Sequence, residues 1–365
     1  MFSPIYISEG LRMFRRKLRV QGRGFKQYPG DAADICRQII EDCWNGRYFQ
    51  TSTGHFCEFW VRDFSWCCRP LLRLGYKEEV RKTLEYALGI YSRCGRVTTT
   101  ISPRGGPFDF PNFSPDSLAS LILCLNQAKA KSLISGYKDF LNKKISEYEE
   151  KVLDRETGLV RQGIPFSSIK DHARRSSSCY NNVMLAMLAR EIKKTSLDNP
   201  FRGFNFKKRV KEEFWNGDYF YDDMEKLPVV TGDSNVFPFW TGIFTEKEMM
   251  RRAFRAIEEV GLDKPFPLRY TCKRYKRQRM LIYEILARNY ERTTIWNHIG
   301  LMYVSLLKQV DRKRHRKSIE DYKDVIGKHK TFLEVYNPAG KPYKSLVYTC
   351  DEGILWSSML LEMLR

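Results

Sequence analysis

Six short loops, rich in aromatic, acidic and amide residues, recur along the chain at a nearly constant interval, and an apolar helical stretch follows each of them. Measured between Trp60, Asp116, Tyr180, Asn235, Trp296 and Gly353, the steps are 56, 64, 55, 61 and 57 residues. A step of this length accommodates one helical hairpin. The repeat therefore predicts an all-α chain of twelve helices in an inner and an outer ring. If the inner helices all begin at the same end, the six loops meet at one pocket.

Hydrophobic periodicity and end signals place the two helices of each hairpin. The outer helices are predicted at 31–44, 78–94, 135–153, 206–215, 246–260 and 314–326, with one apolar face each. The inner helices are predicted at 64–74, 118–128, 183–189, 236–243, 299–307 and 354–364. They are apolar around most of their circumference, which indicates burial. Long connections at 98–113, 156–178 and 330–351 are typical of functional loops, and we expect them at one end of the rings.

The domain organisation is simple because no low-complexity linker or sharp change of composition divides the 365 residues. We predict a single toroidal domain over 31–365, preceded by a basic N-terminal arm at 1–30. Hydrophobic residues make up 42% of the chain and aromatic residues 14%, which is enough for a large core. The first twenty residues carry basic side chains without an apolar block, unlike a secretory signal. No later stretch has the length of apolar sequence that a membrane span needs.

The ten cysteines are mostly isolated within helical periodicity, and no Cys-x-x-Cys pair occurs. This pattern argues against a zinc site and favours a reducing, cytoplasmic location. We expect neither a metal nor a cofactor.

The charge is strongly positive, with 63 Lys and Arg against 43 Asp and Glu and a net charge of +20. Basic clusters occur at 12–19, 273–279 and 312–317. Such a field attracts polyanions, including nucleic acid and anionic membrane surfaces. The simpler interpretation is a solvated outer helix surface. A phosphorylated or lipid-linked sugar substrate is a third interpretation.

Two segments carry a resemblance to a known group of enzymes. Trp60-Val61-Arg62-Asp63 resembles the Trp-x-Arg-Asp segment that begins the second helix of the six-hairpin glycosidases. The segment from Phe332 to Gly340, followed by Gly353-Ile354-Leu355-Trp356-Ser357, resembles the region before their twelfth helix. The resemblance runs from about Phe59 to Leu364. The group of enzymes that the chain resembles includes glucoamylases, processing glucosidases and neutral invertases. The resemblance implies an (α/α)6 barrel and an inverting O-glycoside hydrolase that removes a terminal sugar, with an α-glucoside or a related α-glycoside as substrate.

The resemblance also implies a pair of catalytic carboxylates. Inversion needs one acid to protonate the leaving oxygen and one base to activate water on the opposite face, about 6.5–9.5 Å apart. Glu334 corresponds to the base. The acid is carried to Asp171 by position, because the loop Ser167-Ser168-Ile169-Lys170-Asp171-His172 departs from the glucoamylase pattern and lacks its usual Trp. Lys170 and His172 are expected to lower the pKa of Asp171 unless burial outweighs them.

The sugar itself is expected to meet aromatic and polar residues from the helix starts. Stacking is predicted for Trp60 and Trp296, with Trp240 as a further candidate; hydrogen bonds are predicted from Arg62, Asp63, Asn235 and His298, and a contact from Glu352. Each has a structural alternative. The Trp side chains could be core residues, Arg62 and Asp63 a charge pair at a helix start, His298 a buried structural histidine and Glu352 an acid that favours the helix dipole.

Two other function classes stay open. The departure in the acid loop is compatible with a six-hairpin protein that binds carbohydrate without cleaving it or serves as a scaffold. The net charge of +20 alone motivates a helical nucleic-acid binder, which we do not expect. Sugar identity, linkage and oligomeric state are not predicted.

Overall fold

A computed structural model of the chain describes residues 4–275, 279–280 and 286–365. Most of these residues are helical. In chain order the helices are α1 (Pro4–Arg23), α2 (Ala32–Cys43), α3 (Val61–Leu74), α4 (Lys77–Cys94), α5 (Asp116–Gln127), α6 (Lys131–Gly136), α7 (Lys138–Val152), α8 (Cys179–Ile192), α9 (Phe206–Phe214), α10 (Gly232–Trp240), α11 (Lys247–Glu259), α12 (Asn297–Val310), α13 (Arg312–His329) and α14 (Ser357–Leu364).

The inner ring is closed. Helix α3 packs against α5, α5 against α8, α8 against α10, α10 against α12 and α12 against α14, and α14 returns to α3. The outer helices α2, α4, α9, α11 and α13 pack against inner helices, and α7 follows α6, which contacts α5. The core lies between the two rings, where inner helices such as α8 are buried almost all round. The predicted all-α fold with two rings is confirmed.

Most predicted helix ends agree with the structure to within a few residues, and local chemistry explains them. Asp31 caps α2: its carboxylate accepts the N–H groups of Ala33 and Asp34. Two predictions need correction. The span 135–153 is not one helix, because a break at Tyr137 separates α6 from α7. The last inner helix begins at Ser357 rather than at residue 354, so that Glu352 lies outside its first turn.

A six-residue motif occurs twice between an outer and an inner helix. Trp44-Asn45-Gly46-Arg47-Tyr48-Phe49 follows α2, and Trp215-Asn216-Gly217-Asp218-Tyr219-Phe220 follows α9. In both, the Asn side chain accepts two backbone N–H groups of the turn at 2.9 and 3.0 Å, and the Trp pairs with the Phe through a β-bridge. The Gly has a positive φ, of 86° in one turn and 110° in the other, which other residues seldom adopt. The two hairpins therefore share this turn both in sequence and in backbone geometry.

Short antiparallel strands tie the loops together at the end of the rings where the inner helices begin. They are β1 (Phe59–Trp60), β2 (Thr100–Ile101) and β3 (Pro107–Phe108) in one sheet, and the pairs β4 (Leu153–Asp154) with β5 (Leu159–Val160), β6 (Ala173–Arg174) with β7 (Arg279–Met280), and β8 (Ile295–Trp296) with β9 (Val335–Tyr336). Strands β1 and β8 lead directly into α3 and α12. These pairings fix the direction in which the residues that begin α3 and α12 point.

The basic N-terminal arm is largely a helix, α1, that packs on the loop end of the rings. Arg12 forms an ion pair with buried Glu58, and Arg16 pairs with Asp351 at 3.0 Å. Of the predicted basic cluster at 273–279, residues 276–278 lie outside the described residues. Within the described residues, no helix is long and apolar enough to cross a membrane.

Candidate active site

A cavity of about 520 Å³ opens at the loop end of the inner ring, within the usual size range for a small ligand. Its wall is strongly aromatic, and Trp60, Trp66, Trp296 and Trp356 all contribute to it. Of the predicted site residues, Trp60, Arg62, Asp63, Asp171, Trp296, His298 and Glu334 line this one cavity. The structure thus brings together seven side chains from four separate segments of the chain.

Glu334 lies on the wall in the loop just before β9 and is only 2% exposed. Its carboxylate accepts hydrogen bonds from the Tyr290 hydroxyl, from the Tyr348 hydroxyl at 2.5 Å and from the backbone N–H of Asp351 at 2.9 Å. Burial raises the pKa of Glu334 to about 7, while the three donors act in the opposite direction. The donors fix the orientation of this carboxylate and favour its ionised form.

Asp171 lies on the wall in the loop before β6, with 17% of its side chain exposed. The loop is held by Glu291, whose two oxygens accept the backbone N–H groups of Asp171 and His172 at 2.8 and 2.7 Å. Burial raises the pKa of Asp171 to about 7; Arg62 lowers it and the negative charge of Glu291 raises it. The expected lowering by neighbouring cations is therefore outweighed.

Lys170 does not act on Asp171 because its side chain points elsewhere. Its ammonium group is buried between Asp222 at 3.0 Å and Asp233 at 2.8 Å. Arg175 reaches the same two carboxylates at 3.0 and 2.8 Å. This buried network of two cations and two anions pins both ends of the segment that carries Asp171.

Arg62, the second residue of α3, connects three parts of the inner ring. Its Nε donates to Asp116 at 2.6 Å, and another nitrogen donates to Ser114 at 3.1 Å. The contacts with Asp171 are longer, at 3.4 to 3.5 Å. Although burial disfavours its charge, Asp116 and Asp171 raise the pKa of Arg62. The tight partner is Asp116, which also accepts from the Tyr180 hydroxyl at 2.6 Å, so that Asp171 is only loosely paired.

Asp63 follows Arg62 and also faces the cavity. It accepts a hydrogen bond from the indole nitrogen of Trp356 at 3.0 Å, which joins the start of α3 to the start of α14. Burial raises the pKa of Asp63 to about 7, while Arg62 and Trp356 act in the opposite direction.

The start of α12 contributes stacked rings. Trp296 donates from its indole nitrogen to the Tyr290 carbonyl at 2.8 Å, which fixes the ring at the cavity wall. His298 stacks on Trp66 with ring centroids 4.6 Å apart and an interplanar angle of 7°. Burial and the charge of Arg62 hold the pKa of His298 well below its usual value, so the imidazole is neutral. A neutral imidazole can both donate and accept a hydrogen bond.

Three predicted residues do not face the cavity. Asn235 is fully buried in α10, and its amide accepts the N–H of Phe220 at 2.8 Å and donates to the carbonyls of Phe220 and Thr231. Asn235 is thus bound to backbone groups, which corrects the prediction of a sugar contact. Trp240 lies at the opposite end of the ring, on the wall of a second cavity.

Glu352 is the third predicted site residue that does not face the cavity. It is completely buried, and it binds the N-terminal helix instead of the cavity: its carboxylate pairs with Arg19, lies 3.4 Å from Arg16 and accepts the backbone N–H of Lys26 at 2.9 Å. Since α14 begins five residues later, the helix-dipole alternative for Glu352 is also wrong. Its role in the structure is to anchor the arm.

Several residues of the cavity were not predicted. Glu58 and Glu291 are buried carboxylates whose pKa values burial raises to about 7. Tyr290 and Tyr348 orient Glu334, and Trp66 forms the platform under His298. Glu291 precedes the recurring loop at Trp296 by five residues, so a wider window around each loop would have included it. The same window would have included Glu58, two residues before Trp60, and Tyr348, five residues before Gly353.

In the part of the chain that the structure describes, no group of three or more His, Cys, Asp or Glu could hold a metal ion. The ten cysteines are free thiols, seven of them buried.

Comparison with known proteins identifies the fold. Neither a family model nor a curated protein matches the chain by sequence. Among solved structures, the GH63 mannosylglycerate hydrolase from Thermus thermophilus is similar with a TM-score of 0.64 and 12% identity, over 92% of this chain and 100% of that protein. A rhamnosidase from Klebsiella oxytoca is similar with a TM-score of 0.62 and 12% identity, over 93% of this chain and 66% of the rhamnosidase.

A GH78 family rhamnosidase of Bacillus sp. GL1 is also similar, with a TM-score of 0.61 and 14% identity over 91% of this chain and 34% of the rhamnosidase. At such low identity the shared property is the fold. The chain has the (α/α)6 fold of the six-hairpin glycosidases, as the sequence predicted.

Proposed function

We propose that the chain is a glycoside hydrolase that removes a terminal sugar with inversion of configuration, using Asp171 as general acid and Glu334 as general base. Five carboxyl groups with pKa values raised to about 7 line one aromatic-walled cavity, and the observation that carries this proposal is that two of them, Asp171 and Glu334, come from opposite sides of the inner ring. They come from the loops before the third and the sixth inner helix, which are opposite positions in a ring of six. The fold shared with glycosidases supports the proposal by analogy.

The partners of the two carboxyl groups distinguish their roles, since their pKa values are alike. Glu334 accepts three hydrogen bonds, and a carboxylate held by three donors is suited to accept a proton from water. Asp171 is loosely paired with Arg62 and has the negative charge of Glu291 nearby, which favours a protonated side chain. A protonated Asp171 can give its proton to the glycosidic oxygen.

The reaction then balances without a further reagent. Asp171 protonates the leaving oxygen while the bond from that oxygen to the anomeric carbon breaks. Glu334 removes a proton from a water molecule, whose oxygen attacks the anomeric carbon from the opposite face. The products are the free alcohol and a sugar of inverted configuration, and solvent returns both carboxyl groups to their starting states.

The cavity wall supplies the sugar contacts. Trp60 and Trp296 offer apolar faces against which a pyranose ring can stack, and Arg62, Asp63 and His298 offer polar groups at the same wall. The substrate class in the proposal is an α-glucoside or a related α-glycoside. The mannosylglycerate hydrolase and the rhamnosidases among the similar structures make mannosides and rhamnosides the next substrates to test.

The proposal is tested with a panel of aryl α- and β-glycosides of glucose, mannose and rhamnose, together with natural disaccharides. Proton NMR of the first turnovers records the anomer released. We expect hydrolysis of an α-glycoside with the β-sugar as the first product. Release of the α-sugar from the α-glycoside would contradict the roles assigned to Asp171 and Glu334.

Binding without cleavage is the competing outcome. Calorimetry with the same sugars measures it on the wild-type protein and on the Glu334→Gln variant. Retained sugar binding with no turnover in either protein would replace the hydrolase with a carbohydrate-binding protein. As a matched control, Glu248→Gln changes a carboxylate on the exposed surface of α11 and should leave turnover unchanged.

A further inference from the structure

The outer face of α1 carries a stripe of exposed apolar side chains. Ile7, Leu11, Phe14 and Leu18 are 58%, 51%, 44% and 52% exposed. Their spacing of four, three and four residues places them within an arc of about 60° on a helix of 3.6 residues per turn. Exposed large apolar residues are few elsewhere in the described chain, so this stripe is a distinct surface. We call it the α1 stripe.

Two further leucines extend the surface beyond the helix. Leu346 is 83% exposed, and its carbonyl accepts a hydrogen bond from the ammonium group of Lys17. Leu286 is 49% exposed, and its carbonyl accepts from the hydroxyl of Ser345 at 2.9 Å. Leu346 thus contacts α1 directly, and Leu286 adjoins the loop of Leu346 and lies on the same cavity wall as Phe14, so the apolar surface extends from the helix to the adjoining loops.

The charges around the α1 stripe are positive. Arg15, Arg19 and Arg23 are exposed and Lys17 is half-buried, whereas the single acidic residue of α1, Glu9, is buried. With about 100° per residue, Arg15 and Lys17 lie on opposite sides of the stripe. The charge that α1 presents to solvent is thus basic, in a chain whose net charge is +20.

The inner face of α1 is firmly attached. Arg16 is 6% exposed and pairs with Asp351, and Arg12 donates to the His55 carbonyl at 2.8 Å besides pairing with Glu58. Tyr6, Glu9, Gly10 and Met13 form part of the wall of the 520 Å³ cavity, and Phe14 of the α1 stripe and Leu286 also belong to that wall. The helix is therefore a fixed rim of the cavity: Phe14 lies at the cavity mouth, and Ile7, Leu11 and Leu18 face solvent outside it.

We infer that the α1 stripe docks the rim of the cavity onto an anionic membrane surface. A helix with one apolar face, basic flanks and an otherwise polar surface lies in the plane of the interface, where its apolar side chains enter the acyl boundary and its cations meet anionic headgroups. Pairing two copies through the α1 stripe would instead bring two basic surfaces together, and like charges repel. The inference concerns where the protein binds and does not depend on the reaction proposed above.

Vesicle co-sedimentation of the full chain tests this inference. Phosphatidylcholine vesicles with and without phosphatidylserine are the probes. We expect binding to the anionic vesicles, weak binding to phosphatidylcholine alone, and a decrease with added salt. Replacing Leu11 and Leu18 together by Gln should weaken binding at least about tenfold, because two leucines no longer enter the interface. Arg15→Gln should weaken it about fivefold.

Val260→Gln is the matched control, since Val260 is 37% exposed but lies at the end of outer helix α11. It should bind vesicles like the wild type. Circular dichroism of each variant checks that these exposed substitutions leave the fold intact. The inference is overturned if the wild type binds no vesicles, if the Leu11→Gln and Leu18→Gln double variant binds equally well, or if light scattering shows a dimer that this double variant dissociates while vesicle binding is absent.

Discussion

The two halves of the inner ring begin with similar polar loops but use them differently. Helices α3, α12 and α14, which we call the cavity half, place Trp60, Arg62, Asp63, Trp296, His298 and Trp356 on the cavity wall from their first turns or capping positions. Helices α5, α8 and α10, the support half, lie wholly within the described residues and contribute no side chain to that wall. Their polar residues bind other parts of the protein.

The polar residues of the support half bind backbone groups and hold the loops before the inner helices in place. Asn182 in α8 accepts the N–H of Val160 at 2.8 Å and donates to the Ser178 carbonyl at 2.9 Å. Asn235 in α10 makes the same pair of bonds to Phe220 and Thr231. Each amide thus fastens the preceding hairpin to the start of an inner helix. A recurring polar loop in such a ring marks the start of an inner helix. Whether its polar side chains line the cavity or stabilise the fold depends on the direction in which they point.

The largest expected effect is on turnover, at the two carboxyl groups that the loops before α8 and α14 place on the cavity wall. Asp171→Asn and Glu334→Gln should each lower kcat by roughly 10³-fold, because each removes a proton transfer from the reaction. Neither should alter the urea midpoint greatly, since each amide keeps the shape of the acid it replaces. A leaving group that needs no protonation, such as 2,4-dinitrophenol, should restore much of the rate for Asp171→Asn and little for Glu334→Gln. Equal losses with good and poor leaving groups would remove Asp171 from the acid role.

The support half should respond in stability instead. Asn235→Ala leaves buried N–H and carbonyl groups without their partner, so the free energy of unfolding should fall by roughly 2–3 kcal/mol. Asn182→Ala should have a similar effect, because its bonds are equivalent. Urea unfolding measures the loss, and kcat of the folded fraction should stay within about twofold of wild type, as neither residue lines the cavity. A large fall in kcat with little loss of stability would place these residues in the cavity half.

The smallest expected effect is a shift of the pH profile. Activity should fall at high pH as Asp171 loses its proton and at low pH as Glu334 gains one, with both limbs near pH 7 according to the two pKa values. Tyr348→Phe removes a donor that favours the ionised Glu334, so the pKa of Glu334 should rise. The acid limb should then move upward by up to about one pH unit. The alkaline limb serves as the internal control and should not move.

Much of the fold could be predicted from the sequence because hairpin spacing and helix periodicity are local properties. The same local signals identified Trp60, Arg62, Asp63, Trp296 and His298 as residues at helix starts, and the structure places all of them on the cavity wall. Asn235 and Glu352 were misplaced because their orientation depends on tertiary partners, namely the backbone of Phe220 and the arginines of α1.

The attachment of the N-terminal arm also could not be predicted from local sequence. Its basic composition was evident, but its attachment depends on buried carboxylates more than 300 residues away in the chain, such as Asp351 and Glu352. Glu291 is similar: its contact with the loop of Asp171 joins segments 120 residues apart. No local pattern reports such contacts.

The roles of Asp171 and Glu334 are tested most directly by a crystal structure of the Glu334→Gln variant with an uncleaved substrate. We predict a pyranose ring in the aromatic cavity, with an Asp171 oxygen about 2.6–3.2 Å from the glycosidic oxygen. The amide at position 334 should lie on the opposite face of the sugar, about 6.5–9.5 Å from Asp171, with a water molecule between it and the anomeric carbon. Both side chains on one face of the sugar, or a sugar bound outside this cavity, would contradict the proposed mechanism.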